Sequence, residues 1–123
     1  CLDVLEHVED YLGFANELRG KGIYKIFNIP LDLSVSSLIR NRLVEVRRSV
    51  GHLHYFTAET ALATLRSAGY TIEAWQYTYA FECGVGKGFM ARLIYLVRFI
   101  ACRLSAKWTA KLFGGLSLVI LAR

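Results

Sequence analysis

Apolar residues recur at helical spacing in several stretches of the chain and bunch or alternate in others. Val8, Tyr11, Leu12, Phe14, Ala15 and Leu18 share one side of a helix, with Glu9, Asp10, Glu17 and Arg19 between them. The acids come early and Arg19 and Lys21 late, which suits the helix dipole; Gly20 and Gly22 supply the stop. Gly22 to Ile29 is rich in β-branched and aromatic residues and ends at Pro30, the pattern of a strand. Ser34 or Ser36 caps a second helix running to about Val46, with Val35, Leu38, Ile39, Leu43 and Val46 on one face. Gly51 to Phe56 reads as a loop. Thr57 then caps a third helix whose buried stripe is Ala61, Leu62 and Leu65 and which Gly69 closes. Thr71 to Phe81 is a strand. Phe89 to Phe113 is a long apolar–basic helix broken near Ser105, and after Gly114-Gly115 the residues Leu116 to Leu121 form a last strand. The opening Cys1 to Leu5, apolar around one acid, reads as the end of a strand. Such alternation predicts an α/β layered sheet, with one antiparallel edge pairing permitted for the final strand.

Length and charge narrow this picture. A chain of 123 residues fits one small domain or part of a larger one, and 54% hydrophobic residues exclude a disordered chain. Residues 1–82 hold all 10 acids and 8 of the 15 basic residues, whereas residues 83–123 hold the other 7 basic residues and no acid. That asymmetry suits a surface that meets phosphates or anionic lipid. No zinc finger, aromatic RNA-binding signature or basic heptad is present, so nucleic acid is not an expected partner. Cys1, Cys83 and Cys102 lie far apart with no CxxC spacing, which argues against a disulfide framework or zinc ribbon and for a cytoplasmic compartment.

Three segments carry a family resemblance. Leu2-Asp3-Val4-Leu5-Glu6-His7-Val8-Glu9-Asp10 resembles the stretch after the fourth sheet strand of class I S-adenosylmethionine-dependent methyltransferases, where an acid, two apolar residues and Glu-His are followed by an apolar residue and an acid. Lys25-Ile26-Phe27-Asn28-Ile29-Pro30 resembles that family's fifth strand and its exit. His52-Leu53-His54-Tyr55-Phe56-Thr57, followed by Leu62, Leu65 and Ala68-Gly69-Tyr70, resembles its loop-to-helix junction. The matches come in the family's order and span nearly the whole chain. The resemblance implies a Rossmann-like fold represented from its fourth strand to its last, as the C-terminal part of one methyltransferase domain. Residues 89–113 would be a helical insertion before the last strand. It implies S-adenosylmethionine as cofactor, Leu2 and Asp3 as its contacts, and His7 and His52 as the catalytic candidates. Glu6, His54 and Asn28 would line the pocket of a small-molecule or lipid-linked methyl acceptor. The glycine-rich cofactor loop and the ribose-binding acid are then expected upstream of Cys1, so this stretch alone should bind the cofactor weakly. A sheet cut there also exposes the flank of its first strand, which favours self-association.

The same residues admit plainer readings. His7 or His52 is either a general base, since histidine titrates near neutral pH, or a brace for its loop. Asp3-x-x-Glu6-His7 is similar to a Glu-x-x-Glu-His metal motif of some methyltransferases; the expectation here is no metal, with Glu6 and His7 steadying the loop. Glu82-Cys83-Gly84-Val85-Gly86-Lys87-Gly88 fits the glycine pattern of a cofactor loop. It lacks the carboxylate needed about 20 residues later, because no acid follows Glu82, so it reads as a connecting loop. Trp75, Tyr77, Tyr79 and Phe81 alternate on one face of a strand and either line an aromatic substrate pocket or, as expected here, pack in the core. The segment 89–113, with Arg92, Arg98, Arg103, Lys107 and Lys111, either covers the substrate cleft or lies on an anionic membrane face. In the second case the chain would be a docking module with no catalysis.

Overall fold

A computed structural model describes residues 1–79 and 89–123. Among them are five α-helices, α1 (Tyr11–Leu18), α2 (Val35–Ile39), α3 (Arg42–Val50), α4 (Ala58–Ser67) and α5 (Phe89–Phe113), and three strands, β1 (Lys25–Pro30), β2 (Ile72–Tyr79) and β3 (Leu116–Ala122). The strands form a mixed α/β structure around one sheet of order β1-β3-β2, with β3 antiparallel to both neighbours. The last strand therefore sits in the middle of these three rather than at an edge. Tyr79, at the end of β2, lies opposite Leu116, at the start of β3, so the chain from 80 to 115 leaves and returns at the same end of the sheet. A connection that returns to its starting end makes its two strands antiparallel. Among the described residues the one parallel contact is an isolated bridge between Leu2 and Asn28. The expected opening strand is thus reduced to that bridge, followed by a 3-10 turn at Leu5–His7.

Side-chain chemistry at the helix ends explains most boundaries. Asp10 accepts a 2.8 Å hydrogen bond from the Gly13 amide and starts α1. Ser34 and Thr57 each form a reciprocal capping box with the residue three positions on, Ser37 and Thr60. The single helix expected from Ser34 to Val46 is two, because Asn41 turns into the left-handed region (φ 51°), which Asn tolerates better than most residues. The expected break at Ser105 is present as one extended residue inside α5 (φ −162°, ψ 104°).

The core lies on one face of the sheet. Phe27 and Ile29 of β1 pair with Ile120 and Leu118 of β3, and all four are fully buried. Ala61, Leu62 and Leu65 of α4, Ala15 of α1, Leu5 and Tyr70 are among the residues packed against them. Tyr70 also spends its hydroxyl on the Ala15 carbonyl at 2.8 Å, tying α1 to the end of α4. The aromatics of β2 depart from their expected burial: Tyr77 packs against the core, while Trp75 and Tyr79 are exposed. Among the described residues β2 pairs only with β3, and Phe81 lies outside them.

Position on the central strand should decide the cost of truncation. Ile120→Ala is expected to destabilise by about 2–5 kcal/mol, whereas Ile26→Ala, on the exposed face of β1, should cost under about 1 kcal/mol. Urea denaturation of both variants against the parent checks the contrast.

Candidate functional site

The 3-10 turn Leu5–His7 follows directly on the Leu2–Asn28 bridge, at the end of β1 that leads to Asp32. Leu5 is the apolar anchor of this turn and is 1% exposed. The loop 51–56 is laid against the turn by two main-chain bonds, since the amides of Leu53 and His54 donate to the Glu6 carbonyl at 2.7 and 3.1 Å. Gly51 ends α3 in the left-handed conformation (φ 81°). Its carbonyl lies 3.3 Å from His7 Nδ1, so that nitrogen carries the proton and donates. Tyr55 adds a further tie, donating from its hydroxyl to the Leu43 carbonyl at 2.8 Å.

These ties bring three of the predicted residues together. The ligand-type atoms of Glu6, His7 and His52 lie within 4.8 Å of one another, and the two imidazoles meet edge to face with centroids 4.8 Å apart. Glu6 is wholly buried, and neither of its carboxylate oxygens has a hydrogen-bond partner. Burial pushes its carboxyl above the ordinary glutamate value, and Asp3 adds to that. The dipole of its own backbone amide, which makes no full hydrogen bond to it, and the neighbouring His52 and His7 pull the other way. Beside it, His52 Nδ1 is 2.6 Å from Asp32 Oδ2. A ring nitrogen facing a carboxylate donates, so His52 keeps Nε2 as its acceptor. Asp32 belongs to the strand-end stretch 28–32, which the α/β pattern places facing a common cleft with Asp3 to His7. The pattern assigns it no role; its pairing with His52 comes from the fold.

The remaining predicted residues divide into two groups. Leu2 and Asp3 lie with Asn28: the Asp3 amide donates to the Asn28 carbonyl at 3.0 Å, and the Asn28 side-chain amide donates to Asp3 Oδ1 at 2.8 Å. Asn28 Oδ1 is buried with no partner, an acceptor left open for a donor. Leu2 is exposed, and Asp3 has φ 50°. His54 does not join the cluster. Its Nε2–H is shared between the carbonyls of Val8 (2.9 Å) and Glu9 (3.2 Å), and its ring rests on Tyr11. It holds the loop against α1.

The donor set also passes a chemical test for a divalent cation: one buried carboxylate without partners and two imidazoles whose other ring nitrogens are held by a carboxylate and a carbonyl. His52 takes the place that the sequence pattern gave to Asp3. The glycine-rich Glu82–Gly88 motif lies outside the described residues. On α5, Leu96, Val97, Phe99, Ile100 and Leu104 are exposed, while the Arg98 guanidinium donates to the Phe113 carbonyl at 2.8 Å. No helix among the described residues is long and apolar enough to cross a membrane. No protein-family model and no curated protein matches the chain.

A raised carboxyl is protonated and harmless at low pH and becomes an unpaired buried charge as pH rises, so the stability it permits is lost as pH climbs through its folded value. In chelator-treated protein, Glu6→Gln should therefore gain on the parent between pH 4 and pH 8, by about 1–3 kcal/mol. Urea denaturation across that range reads the difference; a gap that stays constant with pH would remove the charge from the account.

Proposed function

We propose that the chain is the part of a Rossmann-like class I methyltransferase domain that runs from its fourth strand to its last. The whole domain would transfer a methyl group from S-adenosylmethionine to the oxygen or nitrogen of a small-molecule or lipid-linked acceptor. The observation that carries this reading is the meeting of Glu6, His7 and His52, with Asp32 behind His52, at one end of β1. The parallel bridge from Leu2 to Asn28 supports it, because two parallel neighbours then send their following loops to the same end, where ligands bind in doubly wound sheets. Such sheets often carry an antiparallel strand as well, the role β3 would play.

Methyl transfer to O–H or N–H must remove one proton from the acceptor. His52 offers Nε2 for it, since Nδ1 is committed to Asp32. The imidazolium so formed rests against the Asp32 carboxylate, as the histidine of an Asp–His pair does. His7, fixed through Nδ1 to Gly51, presents a second ring nitrogen that can hydrogen-bond and orient the acceptor. Leu2 offers an apolar surface and Asn28 Oδ1 an unfilled acceptor, and both suit the amino-acid end of the cofactor. When bound, S-adenosylmethionine supplies a methyl group on a sulfonium. Were a divalent cation held by Glu6, His7 and His52 instead, His52 Nε2 and the free His7 nitrogen would be its ligands rather than base and orienting group, and the cation would favour the ionised form of an acceptor hydroxyl.

A second reading, a non-catalytic module that docks to membrane or a partner through residues 89–113, has the exposed apolar row of α5 in its favour. One experiment separates the two. The full-length protein is incubated with tritium-labelled S-adenosylmethionine and a metabolite and lipid extract of its source cells. Label should enter an acceptor, and His52→Ala should slow this by about 100-fold with an unchanged circular dichroism spectrum. A full-length protein that transfers no label yet sediments with anionic vesicles would favour the docking module.

A further inference from the structure

A cleft of about 340 Å³ opens beside the candidate site, between the helices α2 and α3 and the packed side of α5. Its size is that of a small-ligand site. Its chemistry is one-sided. Arg40 closes α2, Arg42 opens α3 and Arg98 comes from α5, yet all three line the same space with Ser36. Among the described residues the only acid on its wall is Asp32, whose carboxylate is already engaged by His52. None of the three arginines has a carboxylate partner among the described residues.

Guanidinium groups gathered without a carboxylate in contact with any of them repel one another. Arg98 feels this: burial, and then the charges of Arg42 and Arg40, lower its affinity for its proton, although a guanidinium stays charged at neutral pH. Its Nη2 donates to the Phe113 carbonyl at 2.8 Å, which holds the head in place at the cleft rather than letting it swing to solvent. Three cations, one of them fixed and half-buried, are complementary to a compact group of at least two negative charges whose oxygens accept paired N–H bonds.

We propose that this cleft is a phosphate subsite, in which Arg40, Arg42 and Arg98 bind the phosphoryl group of the acceptor. The volume admits a diphosphate or a phosphate with its attached alcohol. Asp32 touches both the cleft and His52, so a phosphorylated molecule seated there extends towards the imidazole that would take its proton. The word acceptor rests on the methyl-transfer reading; phosphate binding does not, and is measured with no methyl donor present, so the two can fail separately.

Calorimetry on the full-length protein at 0.15 M salt supplies the test, with inorganic pyrophosphate and glycerol 3-phosphate as soluble probes. Vesicles containing phosphatidic acid, against phosphatidylcholine alone, supply the lipid arm. Saturable binding of the soluble probes, weakened about tenfold or more by Arg98→Gln and by Arg40→Gln but not by Lys21→Gln, supports a free phosphorylated ligand. The same pattern confined to phosphatidic acid vesicles supports a lipid headgroup. Arg40 is exposed, so Arg40→Gln decides the matter if Arg98→Gln fails to fold. No binding in either arm, or equal weakening by Lys21→Gln, overturns the proposal.

Discussion

The site depends on where Glu6 is held. Its carbonyl takes the amides of Leu53 and His54, which brings the loop 51–56 and with it His52 to the turn after Leu5. Its carboxyl, on the same residue, is carried into the interior with no hydrogen-bond donor. A buried carboxyl in that condition destabilises the fold unless a proton or a cation compensates it. Two imidazoles stand in contact range to do so, and a divalent ion could join them. The main-chain bonds thus set up a strained electrostatic arrangement that packing alone would not select. Sites whose groups are poised to exchange protons are built this way.

The sheet explains why the pieces converge. β1 and β2 both run antiparallel to β3, so both end beside its first residues, Leu116 and Ser117. The turn after the Leu2 bridge, the exit of β1 with Asp32, and the junction from α5 into β3 through Gly114 all reach that region. Gly114 is needed there: it has φ 67°, and a Cβ would meet Ser34 Oγ at 2.8 Å. The candidate site and the arginine cleft lie on either side of Asp32. A single carboxylate links the imidazole to the basic wall, which is the physical basis for treating the two as parts of one ligand site.

Local chemistry was legible in the sequence, and long-range geometry was not. Thr57 and Ser34 as caps, Gly22, Gly69 and Gly114 as helix stops, the 51–56 loop and the break at Ser105 depend on neighbours within a few residues, and each is present, whereas Gly20 lies inside a 3-10 turn, Arg19–Lys21. The position of β3 was not legible, because both an edge and a central strand read as an apolar run; what decided it was a 36-residue connection returning to the end it left, residues 80–115. The division at Asn41 was hidden because the apolar stripe continues across it while one backbone torsion changes sign. For the site, residue types pointed to Asp3, Glu6, His7 and one of His52 or His54; the fold brings Glu6, His7 and His52 together and turns His54 to the Val8 and Glu9 carbonyls. The carboxylate that orients His52 lies 20 positions away and the cleft joins arginines 56 positions apart, separations no local pattern encodes.

Nuclear magnetic resonance of the protein labelled with carbon-13 at its glutamate carboxyls tests the central claim most directly, with the Glu6 signal assigned by its loss in Glu6→Gln. Titrated without metal, the Glu6 carboxyl should ionise above the ordinary glutamate range. Ionisation at or below that range would mean that the carboxyl is solvated or paired, and the buried carboxyl–imidazole centre described here would not exist.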